Sequence, residues 1–381
     1  MSGRRIGILT HSTNPRGGVV HAMQLAEALC DLGEDATLLA PATAGTGFFR
    51  ATRCAAIGIP ASAAVRDVER LVATRRREVA AFLRAPGTPE FDILHAQDSI
   101  SALALSDLVD EARIPGFLRT VHHLDDFGSP LLSSWQDQAV RRAAGLFCVS
   151  RLWQSELRRR FGRASTLVGN GVDTQHFTPR ADARDAAVAP TGRIVLALGG
   201  VEARKNTLGT LRAFLHIMEQ GRHPDLRLVI AGGATLLDHS SARRAFDEVL
   251  RGSIHAGRVR LAGVIDDAAM PSLYRNAAML CFPSLQEGFG LCVIEAMASG
   301  IPVIVPHGAP FDEYLHAGDA ILADPLSELS IADTMLRALR PDAVRHARAN
   351  GPARARQFDW RHVAARHALH YDHFQPETED A

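Results

Sequence analysis

Two glutamates, Glu287 and Glu295, stand with seven residues between them in the segment Met279-Leu-Cys-Phe-Pro-Ser-Leu-Gln-Glu-Gly-Phe-Gly-Leu-Cys-Val-Ile-Glu-Ala-Met-Ala-Ser-Gly-Ile-Pro-Val303. A carboxylate accepts hydrogen bonds from vicinal hydroxyls, the groups that ribose and hexoses carry. An apolar strand ends near Phe282, a loop carries Glu287, and Gly288-Phe289-Gly290 leads into a helix at Leu291. Glycines there let backbone approach a ligand closely. The first amides of a helix lack intrahelical acceptors and carry the positive end of its dipole, so this loop reads as a diphosphate cradle. One carboxylate then sits in the loop and the other about one turn into the helix. A plainer account uses the same residues: Glu295 complements the helix dipole, and Glu287 is a solvated loop acid.

A second signal is compositional. The chain has 42 lysines and arginines together, and only Lys205 is a lysine. Either arginine fails at that one position or the exception is chance. Other features point away from chemistry. Asp125-Asp126 and Asp266-Asp267 are acidic pairs without a DxD arrangement, and Asp266-Asp267 reads as an N-cap before a helix at Ala268. Seventeen histidines show no HxxxH or HExxH spacing, so no metal is expected. The arginine runs 75–77 and 158–160 read as solvated helix faces, with a membrane-surface role as the minority account. Asn170-Gly171 reads as a turn leading into a linker.

These residues need strands and helices to position them. At 381 residues the chain suits two α/β domains. The opening reads strand (Arg5 to Thr10), loop (Asn14-Pro-Arg-Gly17-Gly18), then an amphipathic helix from Val19 to Leu32 with Gly33 as its C′ residue. Apolar strands follow at Ala36–Ala40, Ile93–His95, Phe117–Val121 and Leu146–Val149, with a helical arginine-rich stretch over Val65–Leu83. Residues 178–192 lack periodicity and read as a linker. Alternation resumes with strands at Ile194–Leu198, Leu226–Ala231, Val259–Leu261, Met279–Phe282 and Val303–Val305, and with helices at Leu208–Met218, Ser241–Arg251, Ala268–Asn276 and Leu291–Ser299. Such alternation predicts doubly wound parallel sheets, and the default ligand site is a cleft at the carboxyl ends of the strands.

Composition narrows the function classes. The 42 basic and 42 acidic side chains balance, so no global field points to nucleic acid or a membrane. Five scattered cysteines argue against a disulfide framework and fit a reducing cytoplasm. No apolar run approaches the roughly 20 residues of a membrane span. The loop after the first strand lacks GxGxxG, which disfavours a dinucleotide dehydrogenase.

The motif Glu287-(seven residues)-Glu295, within PSLQEGFGLCVIEAMASGIPVIV, resembles glycosyltransferase family 4, retaining enzymes of the GT-B fold. Arg16-Gly17-Gly18, Thr120-Val121-His122-His123, Gly169-Asn170-Gly171-Val172-Asp173 and Phe358-Asp359-Trp360 match in order, so the resemblance spans essentially the whole chain. It implies two Rossmann-like domains facing across a cleft: an acceptor-side domain over 1–177, the linker over 178–192, a nucleotide-sugar domain over 193–356, and a helix over 357–381 crossing back to the first domain. It implies that Glu295 holds the donor ribose, Glu287 contacts hydroxyls of the transferred sugar, and amides from Phe289 to Leu291 hold the β-phosphate. Lys205, in Gly199-Gly200-Val201-Glu202-Ala203-Arg204-Lys205, matches the family's phosphate-binding lysine. The family's arginine after the first glycine is missing, since Gly200 stands there, and Arg204 is the substitute we expect. His122, rather than the adjacent His123, is expected to touch the donor sugar or the reacting centre, and Gly17 and Gly18 to let backbone approach the acceptor or the donor phosphate. The activity implied is metal-independent retaining hexosyl transfer from a nucleoside-diphosphate sugar to a sugar, lipid-linked or small-molecule acceptor, with no cofactor. Two other classes stay open at this point: a sugar-nucleotide epimerase or hydrolase that turns over without acceptor, and a silent sugar-nucleotide-binding protein.

Overall fold

The computed structural model describes residues 3–180, 192–233, 239–372 and 374. The chain divides into two compact units, one taking the described residues up to Gly171 and those from Asp359 on, the other running from Val172 to Phe358. The segment read as a linker lies largely outside the described residues, from 181 to 191.

The first unit holds a sheet ordered β3-β2-β1-β4-β5-β6-β7, built from β1 (Arg5–Leu9), β2 (Asp35–Ala42), β3 (Ala55–Pro60), β4 (Ile93–Ala96), β5 (Leu118–Val121), β6 (Gly145–Cys148) and β7 (Thr166–Leu167). Every pairing is parallel. Helices α1 (Gly17–Asp31), α2 (Val68–Arg84), α3 (Ser99–Asp110), α4 (Pro130–Arg142) and α5 (Arg151–Phe161) run between the strands. Strands β4 and β5 are buried at every residue, the continuous burial of a sheet covered on both faces. Helix α1 begins at Gly17, two residues earlier than its apolar pattern indicates, because the two glycines lack the side chains that reveal a helical face. Its end is a Schellman motif: Gly33 adopts φ +94, and the Glu34 amide donates to Leu29 O at 3.0 Å.

The second unit repeats the plan with a sheet ordered β10-β9-β8-β11-β12-β13. Its strands are β8 (Arg193–Leu198), β9 (Leu226–Ala231), β10 (Val259–Gly263), β11 (Ala277–Cys281), β12 (Val303–Pro306) and β13 (Ile321–Ala323), again all parallel. Its helices are α6 (Thr207–Glu219), α7 (Ser240–Arg251), α8 (Met270–Asn276), α9 (Leu291–Ala298), α10 (Glu328–Ala338) and α11 (Pro341–Ala355). The last helix, α12 (Trp360–Asp372), belongs to the first unit and packs against α1.

Several local expectations need correction. A 3-10 turn over Asp267–Ala269 precedes α8, and Asp266 caps with no side-chain bond; instead its carbonyl accepts from the amides of Ala269 and Met270. Arg75 is not solvated, being 8% exposed and paired with Glu78 and the carbonyl of Ser62, and Arg76 is held by Asp107. Asn170 is more than a turn residue: 5% exposed, its Oδ1 lies 2.6 Å from His21 Nδ1.

In both sheets the strand order reverses beside the first strand, between β1 and β4 and between β8 and β11. Open parallel sheets bind ligands at the carboxyl ends of strands at such a reversal. The segments that follow β1, β8 and β11 carry Gly17 (at the start of α1), Lys205 and Glu287.

Candidate functional site

In the second unit, β8 delivers the chain to Gly199 and Gly200, both at positive φ. Gly200 has φ +73, and a Cβ there would lie 3.2 Å from Gly233 O. The conformation suits glycine, and the loop backs directly onto the loop after β9. An arginine at position 200 would be strained, and the two cations next along this loop are Arg204 and Lys205.

Those two cations converge on one carboxylate. Lys205 Nζ donates to both oxygens of Glu287, at 2.7 and 3.1 Å, and lies 4.6 Å from the centre of the Phe282 ring. Arg204 donates to Glu287 Oε1 at 2.7 Å, to Gln286 O at 3.3 Å and to Glu202 Oε2 at 3.4 Å. The two loops are tied by backbone too, since Leu285 N donates to Arg204 O at 2.8 Å and Ser284 Oγ to the same oxygen at 3.0 Å. Glu287 is buried at 8% exposure, so it is no solvated loop acid. Lysine has three N–H donors, and both Glu287 oxygens lie within reach of them.

Glu287 is followed by Gly288 and Phe289, and Gly290 forms the N-cap of α9 with φ +93. A Cβ on Gly290 would meet the Phe311 ring at 2.8 Å, so only glycine fits. The Phe289 ring stacks on Tyr314 at 4.5 Å, and Tyr314 Oη donates to Phe289 O at 2.8 Å, fixing the loop's entry into the helix. The amide of Val293 is spent on Gly290 O at 2.9 Å, within the first turn of the helix.

Glu295, one turn into α9, accepts a 2.6 Å hydrogen bond from Tyr274 Oη on α8. Burial pushes its carboxyl up to about 7, against the lowering effect of the Tyr274 bond; nearby Asp267 raises it further. The group is therefore half protonated near neutral pH. Its contribution to fold stability is complete at acid pH and declines as pH rises through about 7. Hydroxyl recognition has the opposite sign, because the ionised carboxylate is the better acceptor. Affinity for an intact nucleoside-diphosphate sugar is accordingly expected to rise several-fold between pH 6 and 8, and Glu295→Gln should flatten that rise. Titration calorimetry at three pH values checks it. An unchanged slope in the variant rules Glu295 out as the source.

In the first unit, Gly17 and Gly18 form the opening turn of α1, and a Cβ on Gly18 would approach His122 Cδ2 at 3.4 Å. His122 follows β5 and its Nε2 lies 3.0 Å from Gln97 Oε1. The His21 ring meets His122 edge-on, with centroids 4.7 Å apart. Burial holds His122 far below the usual imidazole range, so it is neutral at physiological pH. His123 instead turns to Asp125, at 3.3 Å. The site residues thus form two groups, one around Lys205, Arg204, Glu287 and Glu295, the other around Gly17, Gly18 and His122. The tyrosines Tyr274 and Tyr314, and Gln97, carry no local pattern and were not legible in advance. Among the described residues no cluster of three or more histidines, cysteines and carboxylates could hold a metal ion.

Comparison with known proteins bears on both units. The family described as Glycosyltransferase Family 4 matches residues 15–176, and that described as Glycosyl transferases group 1 matches residues 192–341. A phosphatidyl-myo-inositol mannosyltransferase of Mycolicibacterium smegmatis is 30% identical over 374 residues, covering 95% of this chain and 92% of that protein. Among solved structures, sucrose-phosphate synthase from Thermosynechococcus elongatus superposes with a TM-score of 0.78 at 22% identity, covering 97% of this chain and 98% of that one. Anabaena HepE in complex with UDP-glucose does so with a TM-score of 0.76 at 17% identity, covering 97% and 100%. The likeness to these structures identifies the architecture as GT-B.

Proposed function

Because the chain belongs to the family 4, or group 1, glycosyltransferases, we propose that it transfers a hexose from a nucleoside-diphosphate sugar to an acceptor hydroxyl, with retention and without a metal. The observation that carries this reading is the Lys205–Arg204–Glu287 cluster beside the start of α9, with Glu295 one turn further on. Two preorganised cations and a helix N-terminus supply the stabilisation a leaving diphosphate needs. The bond from the anomeric carbon to the phosphate oxygen breaks, and a bond to the acceptor oxygen forms on the same face. The acceptor proton passes to the departing phosphate. Glu287 is neutralised by its two cations, which makes it a poor nucleophile and supports a single-step transfer over a glycosyl-enzyme. In this reading Glu287 also touches hydroxyls of the transferred sugar, Glu295 holds the ribose, and neutral His122 contacts the donor sugar. Gly17 and Gly18 give backbone access to phosphate or acceptor.

The relative named a mannosyltransferase makes mannose the first sugar to test, and its name makes phosphatidyl-myo-inositol the first acceptor. Cytoplasmic location belongs to the same proposal: the described helices include none long and apolar enough to cross a membrane, and the five cysteines are free. The test is product formation from nucleoside-diphosphate mannose and glucose in EDTA, with the anomeric configuration read by NMR. Product that keeps the donor's configuration in EDTA supports the reading. Inverted product, or turnover independent of any acceptor, contradicts it.

A further inference from the structure

The first unit contains a chain of buried polar side chains that starts at His122 and ends on the C-terminal helix. Gln97, at 3% exposure just beyond β4, places its Oε1 3.0 Å from His122 Nε2. Its Nε2 lies 3.3 Å from His95 Nε2, which Thr120 Oγ1 also approaches at 2.8 Å. On the far side of the same imidazole, His95 Nδ1 is 2.7 Å from Tyr371 Oη. His95 is fully buried and Tyr371 nearly so.

With Gln97 Oε1 turned to His122, the donor and acceptor roles follow. An amide oxygen only accepts, so His122 Nε2 carries the hydrogen, and Nδ1 is left with the ring's lone pair. An amide nitrogen only donates, so His95 accepts at Nε2 and donates from Nδ1 to Tyr371. We propose that Gln97, oriented by His95 and Tyr371, is a positioning residue that holds His122 in the Nε2–H tautomer and so presents Nδ1 as an acceptor for a hydroxyl of the transferred sugar. This rests on the reading of His122 as a contact to the donor sugar, and extends it from a residue to an atom. Neutrality of His122 is consistent with an acceptor role. The charged or titratable groups that act on it are His21 from α1, His95 from β4, Arg119 on β5 and the adjacent His123, each of which disfavours the imidazolium.

The opposite polarity is also self-consistent: a half-turn of the Gln97 amide would give an Nδ1–H His122 and a Tyr371 that donates. Ring-nitrogen NMR of the 15N-labelled full chain separates the two. We expect His122 Nε2 to show the shift of a protonated nitrogen and Nδ1 that of a bare one; the reverse overturns the proposal without any variant. Gln97→Glu keeps the shape but sets a carboxylate against Nε2–H, which favours the imidazolium. The His122 titration should move upward, and turnover should gain an acid limb as Nδ1 loses its lone pair. A titration unmoved in Gln97→Glu overturns the proposal. Gln97→Leu should lower kcat about 10-fold with little change in KM for the donor, the signature of lost alignment. If His122→Ala turns over like the wild type, the reading of His122 fails and the proposal with it. If His122→Ala is inactive while the ring shows the reverse tautomer, only the role of Gln97 fails.

Discussion

Lys205→Ala is expected to lower kcat on the order of 10²-fold, the loss seen when one preorganised donor to a developing oxyanion is removed. The ammonium is held by both Glu287 oxygens and by the Phe282 ring, and its stem runs against Gly199, where a Cβ would lie 2.9 Å from Lys205 Cε. A planar guanidinium cannot reproduce this compact point charge between Glu287 and the Phe282 ring, so Lys205→Arg should fail to restore activity even though arginine serves everywhere else in the chain. The fold is expected to survive, because Arg204 still pairs with Glu287 at 2.7 Å and no buried charge is orphaned. Steady-state kinetics at saturating donor, alongside a melting curve, checks both statements. A loss of only a few-fold in Lys205→Ala, with the fold intact, removes Lys205 from the departure of the leaving group.

Deleting the chain from Trp360 onward is expected to unfold the first unit. Helix α12 buries Trp360, Val363, Ala364 and Tyr371 in the core cluster that includes Val19, Met23 and Phe147, and sets the buried His367 ring 4.7 Å from that of Phe147. Loss of a buried Trp alone costs roughly 3–5 kcal/mol, and losing Tyr371 and Val363 with it brings the sum to the 5–15 kcal/mol that a domain has in hand. Gly171 sharpens the point: a Cβ there would lie 2.7 Å from the Trp360 ring, so the strand-side backbone is shaped to this helix. The truncated chain should be insoluble or melt far below the full chain. An unchanged melting temperature and activity refute the role given to α12.

What could be read in the sequence follows from how local each signal is. Buried parallel strands are short apolar runs, so Leu226–Ala231 is legible to the residue. The cradle before α9 announces itself because glycine is needed at positive φ and the two glutamates lie on one continuous segment. Edge strands carry weaker patterns: β3 contains Gly58 and Pro60 and β13 only three residues, and both pass unnoticed. Long-range partners are the harder case. Tyr371 reaches His95 across 276 positions, and His21 reaches Asn170 across 149. A buried polar residue must find a partner, but nothing in the sequence names it. The glycine at position 200 is visible in the sequence, while the strain an arginine would meet there, from the close approach of Gly200 to Gly233, belongs to the folded loop.

The central claim is that the second unit holds a nucleoside diphosphate without a metal. The direct measurement is thermal stability of the full chain with UDP, GDP, ADP and dTDP, each in excess EDTA. At about 100-fold over the dissociation constant a specific ligand should stabilise by ~2.7 kcal/mol. The account predicts such a shift for one of the four nucleotides in EDTA, and its loss in Lys205→Ala. A shift that appears only when magnesium or manganese replaces EDTA contradicts it.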